Sequence, residues 1–310
     1  MSLDFGKLNA GIGAKQTDPR KIFTTLKRDA RFKRPLDEQA DVLDAWYARR
    51  KAKDLTLKMN TGGGKTVVGL LCLQSSLNEN IKPAVYITPD SFLVNQVLHE
   101  AKELGIPATD DEKDPDFLAG RAILVANVWK LFNARSVFGV GQKKIPIGCV
   151  VVDDAHACLG VVHDQFSIKA DVGTPVYDGL LNLFENDLEN QSPAGLLDVQ
   201  ALDPSIVMEV PYWAWQSHQK QVIELLHTQR ASADLEWSWP LLRDCIPLCT
   251  CLFGGGKLEI SPHFIPIDRI PSFDTAQRRI YMTATLADDT ILVSHFGALA
   301  DEVVKPIRPK

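Results

Sequence analysis

Apolar positions follow two alternating rhythms in the first half of this chain. Short apolar runs recur at Leu55–Met59, Pro83–Thr88, Ala122–Val125 and Ile147–Val152. Between them the spacing is helical. Val67 to Leu77 is one such stretch, and Leu93, Val97, Leu98, Ala101 and Leu104 share one face of another, which begins near Asp90 or Ser91 and stops at Gly105. Upstream, Pro35 opens a further helix with Val42, Leu43, Trp46 and Tyr47 on one side. Strands that are apolar throughout and alternate with helices predict a parallel sheet covered on both faces, a doubly wound α/β core.

Beyond residue 160 the rhythm changes. Leu180–Leu188, Tyr212–Leu226 and Leu235–Cys245 read as helices, and Gly254-Gly255-Gly256 turns into a short strand around Leu258-Glu259-Ile260. Pro262, Pro266 and Pro271 then lead to a β-type run, Arg279–Thr283. The expected division is a basic extension over residues 1–34, a sheet domain over 35–160, a mainly α-helical insertion over 161–256, and a return to the sheet domain over 257–310. Residues 1–34 carry little periodicity of their own.

Composition narrows the class. With 310 residues, 45% apolar and 24% charged, the chain reads as a soluble globular protein. No apolar run approaches a membrane span, and Met1 to Arg20 lacks the apolar stretch of a signal peptide. Six cysteines without a secretory signal point to reduced thiols and a cytoplasmic location. The net charge of −5 does not advertise nucleic-acid binding, but it is unevenly spread: +6 over residues 1–53 and −11 over the remainder. The basic clusters around Arg28 to Arg34 and Arg49 to Lys53 fit a solvated helix face and, as the alternative, phosphate contacts.

The candidate chemistry starts at Asn60-Thr61-Gly62-Gly63-Gly64-Lys65-Thr66, which lies between an apolar run and a helical stretch. Glycines at this spacing let the backbone wrap phosphate oxygens with its amides turned inward, and the following helix adds its positive end. Lys65 is expected to reach the β- and γ-phosphates of ATP or GTP, and Thr66 to ligate magnesium. Met59 stands where the general pattern has its first glycine. About ninety residues later an apolar run ends in Asp153-Asp154-Ala155-His156. An acid at a strand end is the usual partner of such a loop: Asp153 to hold Mg2+, Asp154 to act on the attacking water.

Together these stretches resemble the first RecA-like domain of a superfamily-two helicase of the DEAD/DEAH-box class. Asn60–Thr66 is similar to motif I, Asp153–His156 to motif II, and Thr283-Ala284-Thr285 to motif III. Thr88-Pro89-Asp90 with Gln96 is similar to motif Ia, Leu124–Phe132 occupies the place of motif Ib, and Arg34-Pro35 with Gln39 resembles the adenine-reading Q motif. The resemblance implies an ATP-driven motor on single- or double-stranded nucleic acid. It implies that Gln39 contacts adenine, that Thr283 and Thr285 couple the ATP site to the track through the motif II acid and His156, and that Thr88, Pro89 and Asn127 lie near the sugar–phosphate path.

Two departures from the pattern matter. Asp154 replaces the glutamate common at its position, which sets the carboxylate back by one methylene. The chain also reaches Lys310 shortly after the motif III stretch, so a second RecA-like domain, or a partner subunit supplying an arginine finger, is expected from elsewhere. An ATP-gated binding module with little turnover and a duplex translocase that does not unwind are the rival readings. The long segment between motifs II and III is similar to the arch of XPD/DinG-type helicases. The iron–sulphur cysteines of those enzymes have no counterpart here, because only Cys72 and Cys149 lie between motifs I and II, so no cluster is expected. Cys245, Cys249 and Cys251 read as core thiols, and Trp213, Trp215, Trp237 and Trp239 as core aromatics with base stacking as the alternative.

Overall fold

The computed structural model describes residues 15–60, 62–140, 144–233, 235–284 and 290–310. The chain opens with α1 (Pro19–Thr25), whose first amides are capped by the Asp18 carboxylate, and α2 (Asp37–Arg49). β1 (Asp54–Lys58) leads through the glycines into α3 (Lys65–Asn78). β2 (Ala84–Thr88) and α4 (Ser91–Leu104) repeat the unit. The Asp90 carboxylate accepts from the Leu93 amide to start α4, and Gly105, at φ +74°, ends it. β3 (Ala108–Thr109), α5 (Pro115–Leu118), β4 (Ile123–Asn127), α6 (Val128–Leu131) and β5 (Cys149–Val152) follow.

After α7 (Ala155–Gln165) the chain leaves the first sheet. It makes β6 (Ile168–Asp171), α8 (Pro175–Gln191), α9 (Pro193–Gln200), β7 (Val207–Glu209), α10 (Tyr212–Ser217), α11 (Gln219–Thr228) and α12 (Trp239–Leu242). A hairpin of β8 (Cys249–Gly254) and β9 (Lys257–Pro262) leads back through α13 (Pro271–Asp274) to β10 (Arg278–Thr283), then α14 (Ile291–Phe296) and α15 (Ala300–Val303). No helix among the described residues is long and apolar enough to cross a membrane.

The main sheet has six strands in the order β1-β10-β5-β2-β4-β3, with every pairing parallel. This is the expected α/β core with helices on both faces. Alternate side chains serve opposite faces: Cys149 and Val151 join a cluster with Trp46, Leu70 and Val97 from α2, α3 and α4, whereas Val150 and Val152 join the other. That second cluster runs without a break into Tyr177, Trp215 and Phe253, so the insertion packs directly on the sheet domain.

β1 and β10 are also joined by charge. The Arg279 guanidinium donates to both Asp54 carboxylate oxygens, at 2.7 and 2.8 Å, and both side chains are fully buried. Tyr281 Oη and the Leu299 amide donate to the same carboxylate, and Arg279 further donates to the Phe296 and Gly297 carbonyls. The outer edge of β1 is covered by Ile307, which accepts from the Lys58 amide and donates to the Thr56 carbonyl.

Several elements differ from the sequence expectation. Residues 161–256 hold the expected helices, but with β9 they also contribute to a four-stranded antiparallel sheet, β6-β9-β8-β7. That sheet crosses the 256/257 division, because β9 pairs with β6 and β8 inside the insertion. Part of the stretch read as a helix over Leu235–Cys245 is the four-residue α12, and the expected helix over Tyr212–Leu226 is two helices meeting at His218. Within residues 1–34, α1 buries Ile22 and Phe23 in the core beside α2 and α3.

Candidate nucleotide site

In a parallel sheet all strands point the same way, so their C-terminal ends line one edge, where ligands of open α/β sheets bind. Along this edge Lys58 pairs with Thr283, Tyr281 with Val152, Val152 with Ile87, and Thr88 with Asn127. The motif-like stretches far apart in sequence therefore follow neighbouring strand ends. Asn60, Gly62, Gly63, Gly64, Lys65 and Thr66 leave β1, while Asp153 and Asp154 leave β5. Thr61 and Thr285 lie outside the described residues.

The glycine loop needs its glycines. Gly62 and Gly64 adopt φ of +84° and +69°, the left-handed region that residues with a Cβ avoid. Gly64 is the N-cap of α3, and a Cβ on it would stand 2.1 Å from Gln39 Nε2. Gln39 is 5% exposed and wholly engaged: Nε2 donates to the Gly63 and Gly64 carbonyls, each at 3.3 Å, and Oε1 accepts from the Leu36 amide. The side chain expected at the adenine edge thus ties the start of α2 to the phosphate loop. Gly64→Ala is expected to weaken ATP binding at least about tenfold, since left-handed backbone alone costs ~1–2 kcal/mol for a residue with a Cβ. Calorimetric titration would measure this, and adding Gln39→Ala should recover only the steric share.

Asp153 closes β5, its amide donating to the Ile87 carbonyl. Its Oδ1 accepts from the Asp154 amide at 2.9 Å and its Oδ2 from Tyr86 Oη at 2.8 Å. Burial pushes the Asp153 carboxyl up, opposed by the Tyr86 and Asp154 hydrogen bonds and by the charge of Lys65. Asp154 has φ +42° and ψ +60° and caps α7 without a side-chain hydrogen bond. A non-glycine residue held there costs roughly 1–3 kcal/mol, and such strain gathers at functional sites. It leaves the Asp154 carboxylate free of the helix end it precedes. His156 is exposed in the first turn of α7.

The donor set fits the group it implies. A threonine hydroxyl and a carboxylate are hard oxygen donors of the kind Mg2+ takes beside nucleotide phosphates, and the loop has backbone conformations open only to glycine. Thr283 is fully buried at the end of β10, its carbonyl accepting from the Met59 amide at the root of the glycine loop. Thr88 and Asn127 are adjacent, but their polar groups are used internally. Thr88 Oγ1 donates to the Asp90 carbonyl, and Asn127 caps α6 while donating to Ser91 Oγ. Pro89, which follows Thr88, is partly exposed.

Sequence reasoning missed other residues on this edge. Tyr86 is fully buried and donates to Asp153, and burial pushes the Glu100 carboxyl up. Phe92 and Trp129, the second residues of α4 and α6, are 79% and 52% exposed. The tryptophans of the insertion divide: Trp215 and Trp239 are core, whereas Trp213 is exposed and Trp237 lies under the Arg135 guanidinium. All six cysteines are free and buried, and burial pushes the Cys251 thiol up and that of Cys149 to about 11. Among the described residues no group of three or more His, Cys, Asp or Glu gathers as a metal site.

Comparison with known proteins finds one family over part of the chain. Residues 37–171 match the DEAD/DEAH box helicase family and form a domain of that kind. No curated protein matches the chain. Among solved structures it is similar to S. tokodaii Xpd4, at 16% identity and a TM-score of 0.48, covering 81% of this chain and 57% of that one. It is also similar to an apo form of XPD, at 14% identity and a TM-score of 0.44, covering 84% and 55%. A further XPD helicase structure gives 13%, 0.45, 85% and 61%. The chain thus spans a little over half the length of these structures.

Proposed function

We propose that this chain is the ATP-binding and ATP-hydrolysing motor domain of a DEAD/DEAH-box-type nucleic-acid helicase. The observation that carries the reading is that the glycine loop with Lys65 follows β1 and Asp153 follows β5, strands far apart in sequence whose C-terminal ends line the same edge of one parallel sheet. In this reading the loop from Asn60 to Gly64 and Lys65 hold the phosphates of ATP. Thr66 and Asp153 hold Mg2+, and the bound ion supplies charge neutralisation at the transferring phosphate. Asp154 orients or deprotonates the attacking water, His156 and Thr283 relay the state of the site, and a second RecA-like domain supplies the arginine. Buried thiols fit a reducing cytoplasmic setting. Division of the chain into a sheet domain and an insertion over roughly 161–262 belongs to the same proposal. The test is ATP binding by calorimetry, then ATPase with and without single- or double-stranded DNA or RNA and with a second RecA-like domain added. A chain that binds no nucleotide overturns it.

Asp154 favours one rival, an ATP-gated clamp with little turnover. Its carboxylate is one methylene short, and misplacement by about 1 Å can cost on the order of a hundredfold in rate. Asp154→Glu in the presence of the second domain separates the two: a large rise in turnover supports the clamp, and an unchanged or lower rate supports the motor.

Phe92 and Trp129 fit a track for unpaired bases beside Pro89 and Asn127. Base–aromatic stacking is worth ~1–3 kcal/mol per base, so Trp129→Ala is expected to weaken single-stranded DNA or RNA binding about five- to hundredfold. ATP affinity should be unchanged. Fluorescence anisotropy with a labelled oligonucleotide measures it.

A further inference from the structure

Tyr86 is the one phenol in β2, a strand otherwise made of Ala, Val, Ile and Thr, and it is fully buried. Its ring runs beneath α3 toward the nucleotide edge. Gly69 makes room for it: a Cβ at that position would stand 2.7 Å from Tyr86 Cε2 and 2.9 Å from Met282 Cε. The buried ring thereby packs against the bare backbone of a glycine of α3, which a methionine of β10 also approaches. At its tip, Oη donates to Asp153 Oδ2 at 2.8 Å.

This hydroxyl therefore touches one of the oxygen donors assigned above to Mg2+, across 67 positions of sequence. The other Asp153 oxygen is held by the Asp154 amide. A carboxylate oxygen that accepts one hydrogen bond keeps a second lone pair, so both contacts fix the carboxylate plane and leave a face free for a cation. We propose that Tyr86 is a positioning residue for the magnesium ion, holding the Asp153 carboxylate in place through one wedged phenol. The proposal rests on the Mg·ATP reading of the site and names a residue that reading does not require. Partners that orient metal ligands typically matter by 10–100-fold in metal affinity.

The test uses the whole chain and a fluorescent ATP analogue, titrated first in EDTA and then against rising Mg2+. Tyr86→Phe removes only the hydroxyl. It should keep the magnesium-free nucleotide affinity within about twofold and raise the Mg2+ half-saturation concentration at least about tenfold. Gly69→Ala retains the hydroxyl but displaces the ring, so it should shift the same quantity in the same direction, and the double variant should add nothing to Tyr86→Phe. Thermal melting confirms that each variant is folded. Equal half-saturation in wild type and Tyr86→Phe overturns the proposal while leaving the Mg·ATP reading intact. A wild type that binds nucleotide with no response to Mg2+ overturns both.

Discussion

Lys65→Ala is expected to weaken ATP binding about ten- to hundredfold and to bring turnover to background. A hydrogen bond to a charged group is worth ~1.5–3 kcal/mol, and the phosphates have no other assigned cation in the glycine loop. Lys65 opens α3 at the end of a loop whose shape is set by Gly62, Gly64 and the buried Gln39, so truncating it should leave that shape intact. Loss of binding without loss of thermal stability is the expected result, read by calorimetry and melting. A variant that binds ATP as tightly as wild type would remove Lys65 from the site and with it the motor assignment.

The second large effect is on stability. Arg279→Ala leaves the Asp54 carboxylate fully buried with its charge uncompensated, since the remaining donors are a phenol and one amide. Breaking a buried ion pair from one side costs ~3–5 kcal/mol. For a chain of this size that lowers Tm by roughly 10 °C. Asp54→Ala should cost a similar amount, and the double replacement less than the sum, because the second change removes the orphaned partner. Denaturation of the four chains in urea would test the cycle, and strict additivity would refute it.

Legibility from sequence followed the range of the interactions. The glycine loop was readable because its geometry is local: conformations open to glycine and the lysine that follows are set within a few residues. The six-stranded sheet was readable because strands buried on both faces are apolar at nearly every position. The antiparallel sheet was not. Its edge strand β7 is three residues long, and β8 is an apolar stretch beside a helix-like one, with period-2 burial visible only in three dimensions. The alternation Ile168-Lys169-Ala170-Asp171 was the available signal, since β6 buries the first and third residues and exposes the others. Gln39 was singled out for adenine, whereas its bonds to the loop carbonyls were not expected, because they depend on how α2 packs. Tyr86 went unseen for the same reason. Its hydroxyl meets an acid 67 positions away, and only the sheet order brings them together.

That order also has a consequence for biosynthesis. Among the described residues β1 has β10 as its one neighbour in the main sheet, so the strand that launches the glycine loop waits for about 225 more residues before that partner emerges. At ~5–20 residues per second that is roughly 10–45 s on the ribosome. The interval is long enough for the insertion to collapse first and for a chaperone to shield the unpaired edge. Nascent chains arrested before residue 278 should accordingly remain open to protease around residue 60, and those released after residue 307 should not.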